Sequence, residues 1–167
     1  MRKQKVYLET TLFNFYFDDD KDAHADTVRF FGDIAMGRYE AYTSAYVVDE
    51  LMEARKVRRE QMMGLIEQYD IAVLPLNSES EQLADRYVEE GIIPLKYRTD
   101  GLHIAVAARN GLDMVVSLDF KHIVKQKTKI ETGKINVLNG YRAVEILTPM
   151  EIPDQEKTRY PPIWPII

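Results

Sequence analysis

The sequence predicts an α/β domain with a mostly parallel central sheet and helices on both of its faces, on three observations. Short β-like runs alternate with helix-like stretches along the chain, the order that yields parallel strands joined by crossover helices. The run Met114-Val115-Val116-Ser117-Leu118 is almost continuously apolar, as in a strand buried on both faces at the middle of a parallel sheet. The length, 167 residues, is that of one domain.

Each element has a local justification. Val6-Tyr7-Leu8 reads as the first strand and ends at Glu9. An aromatic-rich loop with Phe13, Phe15, Tyr16 and Phe17 follows. A helix is expected over 23–36, with Asp22 as N-cap, Asp26 in the first turn and Gly37 as the stop. Val28, Phe31, Ile34 and Ala35 form its apolar face. A strand over 40–43 leads to Ser44, an N-cap for a helix through Val48, Leu51 and Met52. Another helix covers 58–68, and a strand over 71–74 is closed by Pro75. Ser78 and Glu81 have capping-box spacing for a helix reaching about residue 90. Thr99 opens a helix with Leu102, Ile104, Ala105 and Ala108 as apolar positions and Asn110-Gly111 as its end. A last strand over 144–147 is closed by Pro149. Residues 1–151 thus read as one domain. Residues 152–167 read as an apolar tail with four of the seven prolines and the only tryptophan, Trp164, expected to pack on the domain or on a partner.

Composition narrows the chemistry. With no cysteine there are no disulfides, no cysteine-based zinc sites and no thiol nucleophile, which suits a reducing compartment. The basic start, with Arg2, Lys3 and Lys5, has no apolar stretch after it to make a signal peptide. No apolar run approaches the ~20 residues a bilayer crossing needs. A soluble cytoplasmic protein with no membrane partner is expected. The net charge of −5 argues against tight, indiscriminate binding of long nucleic acid, so any such contact must be local, metal-assisted or helped by a partner. There is no glycine-rich phosphate loop, no nucleophile elbow and no HExxH pattern.

The carboxylates carry the functional signal. Sites in open parallel sheets form outside the carboxyl ends of the strands. Glu9 ends the first strand, Asp119 ends the most apolar one, Asp100 begins a helix and Glu50 lies in the second turn of another. If these elements share an edge, four carboxylates converge. Clustered carboxylates repel, and a divalent cation removes the conflict. Hard oxygen donors select Mg²⁺ or Mn²⁺ over zinc. Such an ion can activate water and neutralise a phosphate, which is what phosphodiester hydrolysis requires. Spacing alone leaves a plainer alternative open: an aspartate at a helix start is favourable by ~0.3–1 kcal/mol with no function at all, and Glu50 could face solvent.

In their joint order, several segments resemble the PIN-domain family, and within it the VapC-like toxins of toxin–antitoxin pairs. These are Val6-Tyr7-Leu8-Glu9-Thr10-Thr11, Thr43-Ser44 through Glu50-Leu51, Asp100-Gly101-Leu102-His103-Ile104-Ala105, and Val115-Val116-Ser117-Leu118-Asp119-Phe120-Lys121-His122. A later set, Ile135-Asn136, Gly140-Tyr141 and Thr148-Pro149-Met150-Glu151, is similar to one PIN subgroup. The resemblance implies a three-layer α/β/α domain and an Mg²⁺- or Mn²⁺-dependent ribonuclease that hydrolyses RNA. It places the catalytic, metal-binding carboxylates at Glu9, Glu50, Asp100 and Asp119. It further implies an antitoxin partner and a homodimer. Glu9 departs from the aspartate usual in the family; being one methylene longer, it requires the metal to shift or the backbone to recede. A second functional reading rests on that departure and on the acidic net charge: a catalytically weak or inactive PIN-fold protein-binding module.

Ser117 is either a hydroxyl supporting a ligand carboxylate, as in many PIN proteins, or a strand residue facing a helix. His103, three residues after Asp100 on the same helical side, is expected to be a partly buried structural histidine rather than a proton carrier. His24 and His122 have no motif of their own. Two basic stretches follow proposed ligands: Arg55, Lys56, Arg58 and Arg59 after Glu50, and Lys121, Lys125, Lys127 and Lys129 after Asp119. Lys121, Lys125 and Arg55 are candidates for holding RNA phosphates, although charge runs are usually solvated faces.

Overall fold

A computed structural model describes residues 2–153. Five strands form one all-parallel sheet: β1 (Gln4–Leu8), β2 (Tyr39–Ser44), β3 (Ala72–Leu74), β4 (Met114–Val116) and β5 (Glu145–Leu147). Their spatial order is β3-β2-β1-β4-β5. Seven α-helices complete the described residues: α1 (Thr10–Phe15), α2 (His24–Ala35), α3 (Ala45–Met52), α4 (Lys56–Gln68), α5 (Ser78–Glu89), α6 (Arg98–Arg109) and α7 (Gln126–Leu138). This is the three-layer α/β/α arrangement.

β1 is the centre of the sheet. Val6 pairs with Ala41 on one side and Met114 on the other, and Val6, Tyr7 and Leu8 are fully buried. From β1 the chain builds outward through β2 and β3 on one side, then returns to build β4 and β5 on the other. The reversal leaves a crevice beside the carboxyl ends of β1 and β4, where doubly wound sheets hold their sites. Glu9 N–H donates to Val116 O across it at 3.1 Å.

The expected strands are all present, with β4 ending at Val116 rather than at residue 118. Ser44 caps α3 as expected, its Oγ accepting from Val47 N–H. Other caps differ. Asn77, not Ser78, caps α5 by accepting from Ser80 N–H, and α2 begins after Ala23 with no side-chain cap from Asp22. The buried face of α2 is Thr27, Phe30, Phe31, Asp33 and Ile34, while Val28 and Ala35 are exposed.

Two helices fall where the sequence suggested none. The aromatic-rich loop contains α1, capped by Glu9 and burying Thr10, Leu12 and Phe13. Phe13 meets Phe31 edge-on, and Tyr16, Phe30 and Tyr69 complete an aromatic cluster around Phe31. The second helix, α7, buries Thr128, Thr132, Ile135 and Asn136 and exposes Ile130, Val137 and Leu138. Its inner face is largely polar, and both threonine hydroxyls and the Asn136 carbonyl oxygen find partners, while Asn136 Nδ2 has none. Thr128 Oγ1 donates to His122 O, Thr132 Oγ1 donates to Thr128 O, and Tyr87 of α5 donates to Asn136 Oδ1.

Ile152 is buried and its carbonyl accepts from Arg29. The expected packing of the tail otherwise falls on residues 154–167, outside the described residues. Among the described residues no helix is long and apolar enough to cross a membrane.

Candidate active site

Glu9 leaves β1 at the crevice and turns straight into α1. Its carboxylate is buried, and Oε1 accepts three hydrogen bonds: from Thr11 Oγ1 at 2.5 Å, Thr11 N at 3.2 Å and Ser117 Oγ at 2.6 Å. Ser117 Oγ also accepts from Asp119 N–H at 3.0 Å, and Thr11 Oγ1 from Leu118 N–H at 2.8 Å. Ser117 and Thr11 therefore stitch the ends of β1 and β4 together around the Glu9 carboxylate. Burial raises the pKa of Glu9; the charge of His103 and the Ser117 and Thr11 hydrogen bonds offset part of that rise.

Asp100, in the first turn of α6, and Asp119, just past β4, meet at the same edge. One ligand atom from each, together with one from His122, lie within 4.8 Å of one another. Asp119 Oδ1 accepts from the backbone N–H groups of Lys121 and His122 at 3.0 and 3.1 Å. His122 Nδ1 stands 3.4 Å from Asp100 Oδ2, and its ring stacks on Tyr97 with centroids 3.8 Å apart and planes 24° apart. Burial is the main cause that pushes the Asp100 carboxyl up to about 7; the charge of Asp119 adds to it, His103 opposes it, and Glu9 and Glu50 contribute further. All four expected carboxylates thus share one electrostatic neighbourhood.

Glu50, on α3, is held by a different chain of contacts. His103 Nε2 donates to Glu50 Oε1 at 2.6 Å, and Nδ1 shares a 2.7 Å hydrogen bond with Tyr7 Oη. Tyr7 Oη in turn lies 2.7 Å from Ser44 Oγ, the cap of α3. His103 is fully buried, more deeply than the partly buried position expected. Burial alone would lower its pKa, but the hydrogen bond and charge of Glu50, with Glu9 and Asp100, outweigh that and raise it. The ring therefore fixes the position of Glu50 through Nε2.

No protein-family model and no curated protein matches the sequence. Solved structures do match in shape. VapC20 from Mycobacterium tuberculosis, described as a sarcin-ricin loop cleaving toxin, aligns with a TM-score of 0.53 and 11% identity over 84% of this chain and 98% of its own. VapBC2 from Rickettsia felis, bound to a DNA fragment from its promoter, aligns with a TM-score of 0.52 and 11% identity over 87% and 98%. The fold is that of a VapC-type PIN domain.

On this PIN fold the crevice residues fit a hard divalent cation. Asp100 and Asp119 supply anionic oxygens at cation-binding separation, and the raised pKa of Asp100 marks negative charge that the protein itself leaves uncompensated. Glu9 and Glu50 stand outside that trio, and Oε1 of each accepts from protein donors. Their second oxygens and their charge are what they offer.

The basic candidates divide. Lys121 and Lys125 are exposed just after Asp119, Lys125 at the start of α7. Arg55 is exposed at the start of α4. Arg58 is structural: it pairs with Asp18 at 3.0 Å and lies over the Phe17 ring. Lys129 pairs with Glu151 at 3.8 Å. His24 Nδ1 bonds to Phe15 O. Sequence spacing missed the parts played by His122, Tyr97 and Tyr7. Tyr7 and His122 stand within the segments of the family resemblance, but their spacing gives no sign of these parts; loop geometry and strand pairing bring them to the carboxylates.

Proposed function

We propose that this protein is a metal-dependent endoribonuclease that hydrolyses RNA phosphodiesters, acting in the cytoplasm as the toxin of a toxin–antitoxin pair. The observation that carries the proposal is the convergence of Asp100 and Asp119, with Glu9 and Glu50 in electrostatic reach, at the switch point of a VapC-type fold. Glu9, Glu50, Asp100 and Asp119 are the catalytic set. Asp100 and Asp119 would hold the ion, with Glu9 and Glu50 contributing charge to the same crevice. A bound Mg²⁺ or Mn²⁺ supplies charge neutralisation at the phosphate and activation of water.

The chain's own residues do the rest. Ser117 and Thr11 fix the Glu9 carboxylate, His103 fixes Glu50, and the exposed Lys121 and Lys125 offer positive charge to the RNA backbone, with Arg55 as a further phosphate contact. The antitoxin partner follows the VapBC2 likeness and the homodimer follows the family resemblance; mass in solution, alone and with a co-expressed antitoxin, tests both.

The decisive assay uses single-stranded RNA with Mn²⁺ or Mg²⁺. Cleavage should occur, EDTA should abolish it, and Asp119→Asn should lower the rate by about a hundredfold or more. The hydrogen bonds that Glu9 accepts as cap of α1 favour one alternative, a PIN-fold binding module with weak or no catalysis. Failure of the wild type to cut a broad RNA pool in either metal, with antitoxin binding retained, would establish the module instead.

A further inference from the structure

We infer that His122 is a nitrogen ligand of the metal site and makes that site select Mn²⁺ over Mg²⁺. The inference deepens the proposed function, because it rests on Asp100 and Asp119 binding a divalent cation. Three features of the His122 ring support it.

The first is distance. His122 Nδ1 lies 3.4 Å from Asp100 Oδ2. That exceeds the 2.7–3.2 Å of an ordinary N–H···O bond. Two donor atoms each about 2.1 Å from one ion and at roughly right angles to each other are about 3 Å apart. The gap between these two side chains is thus longer than an ordinary hydrogen bond and short enough for both atoms to reach one ion. The second is confinement. The ring stacks on Tyr97 at 3.8 Å, the His122 N–H donates to Asp119 Oδ1, and the His122 carbonyl accepts from Thr128 Oγ1. The backbone of His122 is held on both its N–H and its carbonyl and the ring is stacked, so the ring is aimed before any ion arrives. The third is exposure: the side chains of His122 and Asp100 are each 19% exposed, open enough for an ion and partly screened from water.

The chemistry of the trio then sets its preference. Two carboxylates neutralise a divalent charge, and the imidazole adds a donor without adding charge. Mg²⁺ keeps to oxygen and holds its waters, whereas Mn²⁺ accepts imidazole more readily. A site of oxygen donors alone would discriminate little between them.

The test measures metal binding, not cleavage. Mn²⁺ and Mg²⁺ are titrated calorimetrically into wild type, His122→Asn and His122→Ala, and electron spin echo spectra of the Mn²⁺-loaded proteins read nitrogen coupled to the metal. Wild type should bind Mn²⁺ about tenfold or more tighter than Mg²⁺ and show nitrogen modulation. His122→Asn, which puts an amide oxygen in place of the ring nitrogen, should lose the modulation, bring the two affinities within about threefold and leave Mg²⁺ binding nearly unchanged. Wild-type Mn²⁺ binding without nitrogen modulation overturns the inference alone, as does modulation that survives His122→Asn. Wild type binding neither ion overturns the metal-site reading and this inference together. Should His122→Ala fail to fold, the wild-type spectrum and His122→Asn still decide.

Discussion

Asp100→Asn should stabilise the protein in the absence of metal and remove most of the stabilisation that metal confers. The Asp100 carboxyl is pushed from 3.8 up to about 7, first by burial and then by Asp119. Between about pH 4 and pH 7 the folded state keeps a proton that the unfolded state has lost. Stability from this group is therefore present at low pH, falls as pH rises through that window, and is gone above it. Each pKa unit is worth about 1.4 kcal/mol, which gives an upper bound of about 4 kcal/mol at pH 8. The side chain is 19% exposed, and water and relaxation screen the strain, so about 2 kcal/mol is the working figure. For a chain of this size that corresponds to about 4–8 °C in melting temperature. The assay is thermal unfolding from pH 5 to pH 8 in EDTA and again with millimolar Mn²⁺. Wild type should lose stability between pH 5 and pH 8 in EDTA and regain about 2.7 kcal/mol when metal stands at a hundred times its Kd. The asparagine variant should show a flatter pH profile, a higher melting point at pH 8 in EDTA and little response to metal. A variant that melts below wild type at pH 8 in EDTA, or gains as much from Mn²⁺, would refute the reasoning.

Phe31→Ala should cost about 3–5 kcal/mol and lower the melting temperature on the order of 10 °C, because the ring is fully buried among Phe13, Tyr16, Phe30 and Tyr69; a loss under 1 kcal/mol in urea titration would contradict that packing. Asp113, before β4, accepts from both Arg2 guanidinium nitrogens, from Lys5 N–H and from Arg142, and the Arg2 hydrogen bond leads in holding its pKa down to about 2. Its contribution is present above about pH 4 and lost as pH falls through about 2. Because Arg2 and Arg142 are mostly solvent-exposed, it is worth about 1 kcal/mol rather than the full shift. Asp113→Asn should lower the melting point at pH 7 by a few degrees and leave the pH 2 value unchanged; an equal drop at both pH values would rule out the ionic origin.

The parts of this fold legible in the sequence are those where one signal dominates. β4 announces itself because a strand buried on both faces must be apolar throughout, and Ser44 because a cap must offer an oxygen to the first turn of α3. The strand ends then locate Glu9 and Asp119, and the helix start locates Asp100. What escapes is structure held by polar contacts between distant residues. The inner face of α7 is mostly threonine and asparagine, so no hydrophobic period exists to read; its polar groups are held by Tyr87, far away in sequence, and by His122 O in the loop just before the helix. The short helix α1 is capped by a glutamate whose cap also serves the site, and its aromatics follow no clean helical stripe. His103 reads as partly buried by spacing and is fully buried because Glu50 and Tyr7 satisfy both ring nitrogens. His122 joins Asp100 only through the turn after β4, which no local pattern encodes.

The central claim is that the carboxylates at the β1–β4 crevice bind a divalent cation. Crystals soaked in MnCl₂ and measured at the manganese absorption edge test it most directly. The account predicts one strong anomalous peak about 2.1–2.3 Å from carboxylate oxygens of both Asp100 and Asp119, abolished in Asp100→Asn crystals. Manganese found only at other acidic groups, with the space between Asp100 and Asp119 holding water alone, would contradict it.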